Sequence, residues 1–77
     1  MKIKLYVFGK IYDIIQSDCI ILKNISNLNE LFEYLYSEYP ELKNINFQVS
    51  VNKTIVKEKF DFKDGDEVAL LPPFAGG

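Results

Sequence analysis

The chain has 77 residues, 9 basic and 11 acidic, for a net charge of -2, with 48% hydrophobic residues, one Cys and no His. That length allows a single domain, and the acidic balance argues against a nucleic-acid binder, which needs a basic stripe to neutralise phosphates. A lone Cys without His excludes an internal disulfide, a zinc ligand set and an imidazole general base, so chemistry must come from carboxylates, lysines, a chain terminus or a partner.

Ile3, Leu5 and Val7 alternate with Lys4, Tyr6 and Phe8, which predicts a strand over residues 2–8. Gly9-Lys10 begins a break, and Ile11, Ile14 and Ile15 have helical spacing over a stretch too short to decide its state. Cys19-Ile20-Ile21-Leu22 predicts a second strand paired with the first, with Cys19 as a small core residue rather than a reactive thiol. Asn27 caps a helix, with Glu30 three residues on in a variant of the capping box. Leu28, Leu31, Phe32, Leu35, Tyr36 and Tyr39 form one apolar stripe along it, and Pro40 ends it. Tyr34, Tyr36 and Tyr39 read as helix packing. Phe47, Val49 and Val51 mark a third strand, Asn52-Lys53 a tight turn, and Thr54-Ile55-Val56 a short return strand. Asp64-Gly65 is a turn before a last strand over Glu67 to Leu71. Asp61, Asp64, Asp66 and Glu67 lack calcium-loop spacing and suit turn chemistry better. Asp66 and Glu67 are also placed to meet basic residues of a partner.

The order β-β-α-β-β-β describes an α+β two-layer domain over 1–77, with one main helix on one face of a mixed sheet. It suits a β-grasp (ubiquitin-like) roll. No apolar run reaches the roughly 20 residues that span a bilayer, and Met1 to Leu5 does not resemble a signal peptide. A cytoplasmic protein with no membrane partner is the expectation.

The last strand runs into Pro72-Pro73-Phe74-Ala75-Gly76-Gly77. Prolines hold such an exit extended and stop it pairing with its own sheet. Glycines let the end enter a channel too narrow for side chains. With Gly77 as the end, its carboxylate sits at the tip of a thin probe. A carboxylate is ionised in the cell and a poor electrophile, so it needs activation, for instance as an acyl-adenylate. No Gly-rich loop followed by Lys-Ser or Lys-Thr is present to bind ATP. A partner must supply that step, and the chain itself is expected to bind no cofactor or metal. A terminal Gly-Gly alone also fits a frayed end; the proline pair and the preceding turn and strand point to a functional tail over residues 72–77.

Asp64-Gly65-Asp66-Glu67-Val68-Ala69-Leu70-Leu71-Pro72-Pro73 followed by Gly76-Gly77 resembles the MoaD/ThiS family of ubiquitin-like sulfur carriers, nearest its molybdopterin-synthase small subunits. Weaker matches are Phe8-Gly9, Asn27-Leu28-Asn29-Glu30-Leu31, Tyr39-Pro40-Glu41-Leu42 and Val51-Asn52. The resemblance implies a non-catalytic subunit whose Gly77 is adenylated by a ubiquitin-activating-like enzyme using ATP. Gly77 is then converted to a thiocarboxylate. Pro72, Pro73, Phe74, Ala75 and Gly76 carry it into a large catalytic subunit, where its sulfur builds the dithiolene of molybdopterin on a cyclic pyranopterin phosphate. It also implies a heterotetramer with that subunit, and a surface containing Phe8, Ile55 and Leu71 that meets both partners. Strand alternation agrees with an outward patch, since Tyr6, Phe8 and Leu71 oppose the inward Ile3, Leu5, Val7, Val68 and Leu70. Phe74 and Ala75 depart from the usual small β-branched residue and Ser or Thr before Gly-Gly. Two alternatives share the tail: a sulfur carrier for thiamine thiazole synthesis, and a ubiquitin-like modifier joined through Gly77 to other proteins.

Overall fold

The computed structural model describes residues 1–57 and 59–72. In chain order the elements are β1 (Lys2–Val7), α1 (Lys10–Ile15), β2 (Cys19–Lys23), α2 (Leu28–Glu38), a 3₁₀ turn (Pro40–Asn44), β3 (Gln48–Val51), β4 (Thr54–Val56) and β5 (Glu67–Leu71). The five strands form one mixed sheet in the order β2-β1-β5-β3-β4. Only the β1–β5 pair is parallel; the other three pairs are antiparallel. This is the β-grasp arrangement, with the last strand at the centre of the sheet and α2 across one face.

The short helical pattern after Gly9 is a real helix. Ile11 and Ile15 are buried along α1 and Ile14 packs against them at the core edge. Gln16 stops it in the left-handed region (φ 62), and its N–H donates to the Tyr12 carbonyl at 2.6 Å. Periodicity over six residues was too little to identify it.

In α2, the Asn27 Oδ1 accepts from the Glu30 N–H at 2.9 Å, and the Glu30 carboxylate accepts from the Ser26 N–H at 2.6 Å. The return bond lands one residue earlier than in the usual capping box. Replacing Asn27 by Ala should lower stability by about 1 kcal/mol, visible as a lower urea midpoint with an unchanged slope.

The apolar stripe of α2 divides by size. Leu28, Leu31 and Leu35 enter the core, while Phe32 and Tyr36 stack with ring centroids 5.9 Å apart and meet Phe47 at 6.1 and 6.5 Å. Tyr34 and Tyr39 also pack partly buried against the core, so the tyrosines serve helix packing. Helix α2 stops at Glu38, before Pro40, and the 3₁₀ turn then drops Leu42 into the core.

The sheet's inner face carries Ile3, Leu5, Val7, Leu22, Val49, Val51, Val68 and Leu70, all buried. Cys19 does not join them; it is exposed. Side chains alternate along a strand, so Leu22 pointing inward forces Cys19, Ile21 and Lys23 outward. The apolar run hid that parity, because Ile21 is as hydrophobic as its inward neighbours.

Candidate functional site: the outer sheet face and the exit of β5

Strand register assembles the outer face row by row. Cys19 pairs with Tyr6, Tyr6 with Ala69, Ala69 with Ser50, and Ser50 with Ile55, one residue from each strand. Leu71 lies in the next such row, opposite Gln48. Phe8 follows the end of β1 and is 48% exposed. Tyr6, Phe8, Ser50, Lys53, Glu67 and Ala69 line a shallow depression of about 210 Å³. Partial desolvation raises the Tyr6 phenol pKa, with smaller contributions from the Glu67 carboxylate and the Cys19 thiol beside it.

The three residues expected to meet partners therefore share one face. Phe8 is exposed, whereas Ile55 and Leu71 are half-buried. Small Ala69 and Ser50 between the larger side chains leave the face shallow rather than protruding.

The start of β5 is fixed by a polar network. The carboxylate of Asp66, only 8% exposed, accepts from the Asn52 side-chain amide at 3.0 Å and from the Lys63 N–H at 2.8 Å. The Asn52 Oδ1 in turn accepts from the Glu67 N–H at 3.0 Å. The Asp64 carboxylate accepts from the Lys2 N–H at 2.7 Å, and the Gly65 N–H donates to the Lys2 carbonyl at 2.7 Å. Together these bonds hold the 63–66 turn to β1 and to the β3–β4 hairpin, which sets the parallel register of β5. Asp66 is thus committed internally and does not offer its charge to a partner; Glu67, which is exposed, can. The turn reading of Asp64 holds, and among the described residues no group of three or more His, Cys, Asp or Glu is placed to hold a metal.

Asn52 has a second role. It and Lys53 have φ of 49 and 74, the paired positive values of a two-residue type I′ hairpin loop. Asn tolerates that conformation, and its amide reaches across to Asp66. The sequence signals the turn but not the bridge, because the two residues are 14 positions apart.

β5 leaves the sheet at Leu71 and passes to Pro72, beside Gly9. Gly9 has φ 62 and ψ -137, backbone space that L side chains avoid. An added Cβ would meet the Pro72 ring at 3.9 Å, ordinary contact, so steric room is not the constraint. The backbone angle is, and Gly9→Ala should cost about 1–3 kcal/mol, measurable by thermal denaturation. Gly9, Ile11, Asn44, Ile45 and Pro72 border an open groove of about 510 Å³ at this exit. Pro73, Phe74, Ala75, Gly76 and Gly77, expected to form the rest of the tail, lie outside the described residues.

The model of the family described as ThiS matches residues 5–77, which takes in the outer-face strands and the Gly-Gly end together. The chain belongs to the ThiS family. Solved structures similar to this ThiS-family protein include one chain in the complex of subunits 1 and 2 of molybdopterin-converting factor from Helicobacter pylori 26695, at 28% identity, TM-score 0.73 and coverage of 100% of both chains. A Pyrococcus furiosus protein assigned as molybdopterin converting factor subunit 1 shares 21% identity with TM-score 0.82, over 95% of this chain and 98% of its own. Small archaeal modifier protein 1 from Methanosarcina acetivorans shares 20% identity with TM-score 0.81, over 99% of this chain and 96% of its own. The fold is therefore that of MoaD/ThiS-type ubiquitin-like carriers, small proteins that serve as non-catalytic subunits. No helix among the described residues is long and apolar enough to cross a membrane.

Proposed function

We propose that this chain is the sulfur-carrying small subunit of a molybdopterin synthase, with Gly77 as the carrier atom's point of attachment. The observation that carries the reading is whole-length similarity, at 28% identity, to a chain of a subunit 1–subunit 2 complex of molybdopterin-converting factor. The central, parallel placement of β5 supports it, since that strand runs out of the sheet directly into Pro72.

The steps follow from carboxylate chemistry. A ubiquitin-activating-like enzyme joins the Gly77 carboxylate to AMP from ATP, releasing pyrophosphate. A sulfur donor displaces AMP and leaves a thiocarboxylate. The tail residues Pro72, Pro73, Phe74, Ala75 and Gly76 then carry the sulfur into the large subunit, which supplies the acid–base and covalent residues. There the sulfur attacks a cyclic pyranopterin phosphate, water cleaves the acyl–sulfur bond that still joins it to the carrier, and Gly77 returns as a carboxylate. Each dithiolene needs two sulfurs, so two loaded carriers serve one product, in keeping with a heterotetramer. Phe8, Ile55 and Leu71, on the face described above, provide the docking surface for both partners.

Two further readings have their own support. The family description favours a sulfur carrier for thiamine thiazole synthesis, which would use the same Gly77 thiocarboxylate. The likeness to a small archaeal modifier favours conjugation of Gly77 to lysines of other proteins. Intact mass spectrometry after incubation with an activating enzyme, ATP and a sulfur donor separates them in two stages. A gain equal to one oxygen replaced by sulfur, mapped to Gly77, is expected for either sulfur carrier. Sulfur transfer from the loaded protein to cyclic pyranopterin phosphate, with the large subunit present, then distinguishes the proposed pathway. Loading without that transfer would sink the molybdopterin reading, and no loading beside a working control carrier would sink both sulfur-carrier readings.

A further inference from the structure

β5 lies between β1 and β3, with Val7 opposite Leu70 on one side and Gln48 opposite Leu71 on the other. The chain therefore leaves the sheet between the segment that follows β1 and the segment that precedes β3. Those two segments are the banks of the groove of about 510 Å³ at the exit: Gly9 and Ile11 on one side, Asn44 and Ile45 on the other, with Pro72 bordering it as well. Both banks are fixed by backbone bonds. The Gly9 carbonyl accepts from the Tyr12 N–H at 3.0 Å, and the Ile45 N–H donates to the Leu42 carbonyl at 3.2 Å. The apolar lining comes from Ile11, Ile45 and the Pro72 ring; Ile45 is half-buried and Pro72 exposed.

The sequence beyond Pro72 offers one side chain for this groove. Residues 73–77 are Pro, Phe, Ala, Gly and Gly, so Phe74 is the large apolar group of the tail. It stands two residues past Pro72, at most about 7 Å along the chain. The residue before a proline is held extended, and side chains two apart on extended backbone share a side. Pro72 precedes Pro73, so the Phe74 ring falls on the side of the Pro72 ring, which borders the groove. An aromatic ring gains by leaving water for apolar surface. The short tether sets its effective concentration at the groove at about millimolar, and the proline pair limits the freedom lost on docking. A ring brought by any other molecule has neither advantage.

We propose that in the free chain the Phe74 ring docks in the groove against Ile11, Ile45 and Pro72, so that the tail is latched at its root and only Ala75-Gly76-Gly77 projects. The projecting part then has no side chain larger than a methyl group. Entry of the whole tail into a partner requires the ring to leave the groove, which makes Phe74 a release point as well as an anchor. The inference goes beyond the carrier reading and does not depend on it, because the free chain alone tests it.

Methyl-resolved NMR of the full chain without partners is the test. Nuclear Overhauser contacts should link the Phe74 ring to the Ile45 methyls. Phe74→Ala should abolish the ring-current shifts of the Ile11 and Ile45 methyls, while the methyl signals of buried Ile3 stay in place. Phe74→Leu should keep the contacts to Ile45 and lose the ring-current shifts. In a mixture of isotope-labelled and unlabelled chains, the contacts should arise within one chain. Contacts only between chains would assign the groove to a second copy, and Ile11 and Ile45 signals identical in wild type and Phe74→Ala would leave it to a partner's side chain; either result overturns the proposal.

Discussion

Under the proposed carrier role, deleting Gly77 is expected to abolish thiocarboxylate formation and to leave the melting temperature unchanged. The loss follows from reach. Without Gly77 the carboxylate belongs to Gly76 and stops about 3.5 Å short of its former position. A reacting atom misplaced by only about 1 Å can lose roughly 100-fold in rate, so this shift should push adenylation below detection. The fold should be indifferent because, among the described residues, the buried core ends at Leu70 and the last strand at Leu71. Intact mass spectrometry and thermal denaturation on the same sample check both halves. A deleted chain that still accepts sulfur would place the chemistry elsewhere and refute the carrier role.

Asp66→Ala is the substitution expected to destabilise the fold most among the polar positions. It removes the acceptor for the Asn52 amide and the Lys63 N–H at a site only 8% exposed. Hydrogen bonds to a charged group contribute about 1.5–3 kcal/mol each, and a stranded partly buried donor adds its own penalty. A net loss of about 3 kcal/mol is expected. At about 4–8 °C per kcal/mol for a domain of this size, that is roughly 12–24 °C in Tm. Asn52→Gly keeps the positive φ of the hairpin and removes only the side-chain bridge. In a double-mutant cycle with Asp66→Ala it should show coupling of about 0.5–3 kcal/mol. Additive losses would mean that the Asn52–Asp66 bond contributes no coupling of its own.

The elements with long or clear periodicity were legible in the sequence. The α2 stripe from Leu28 to Tyr39, its Asn27 cap, the β1 alternation and the turn at Asp64-Gly65 all carry local signals that local structure follows. What failed depends on distant residues or on parity. Cys19 is exposed because Leu22 sets the face of β2, and an unbroken apolar run gives no sign of which residues point inward. Asp66 looks like a surface charge until the fold brings Asn52 to it. Gly9 announces a break, but only the angle required beside Pro72 explains why the position needs glycine. Of the candidate interface, the outward side of Phe8 and Leu71 was readable from alternation and Ile55 came from the resemblance, whereas the half-burial of Ile55 and Leu71 depends on neighbours from other strands.

The central position of β5 also has a consequence for synthesis. β1 and β2 can pair early and β3 and β4 can pair later, but the two hairpins share no strand-to-strand bonding without β5 between them. The contacts that close the sheet join the first and last strands, so they form only once translation has passed Leu71. A message cut short, or a stalled ribosome, yields two separate hairpins with unfilled apolar faces, a state open to proteolysis. Chains that survive in folded form have therefore been copied up to the root of the tail, and folding itself screens out carriers truncated before it.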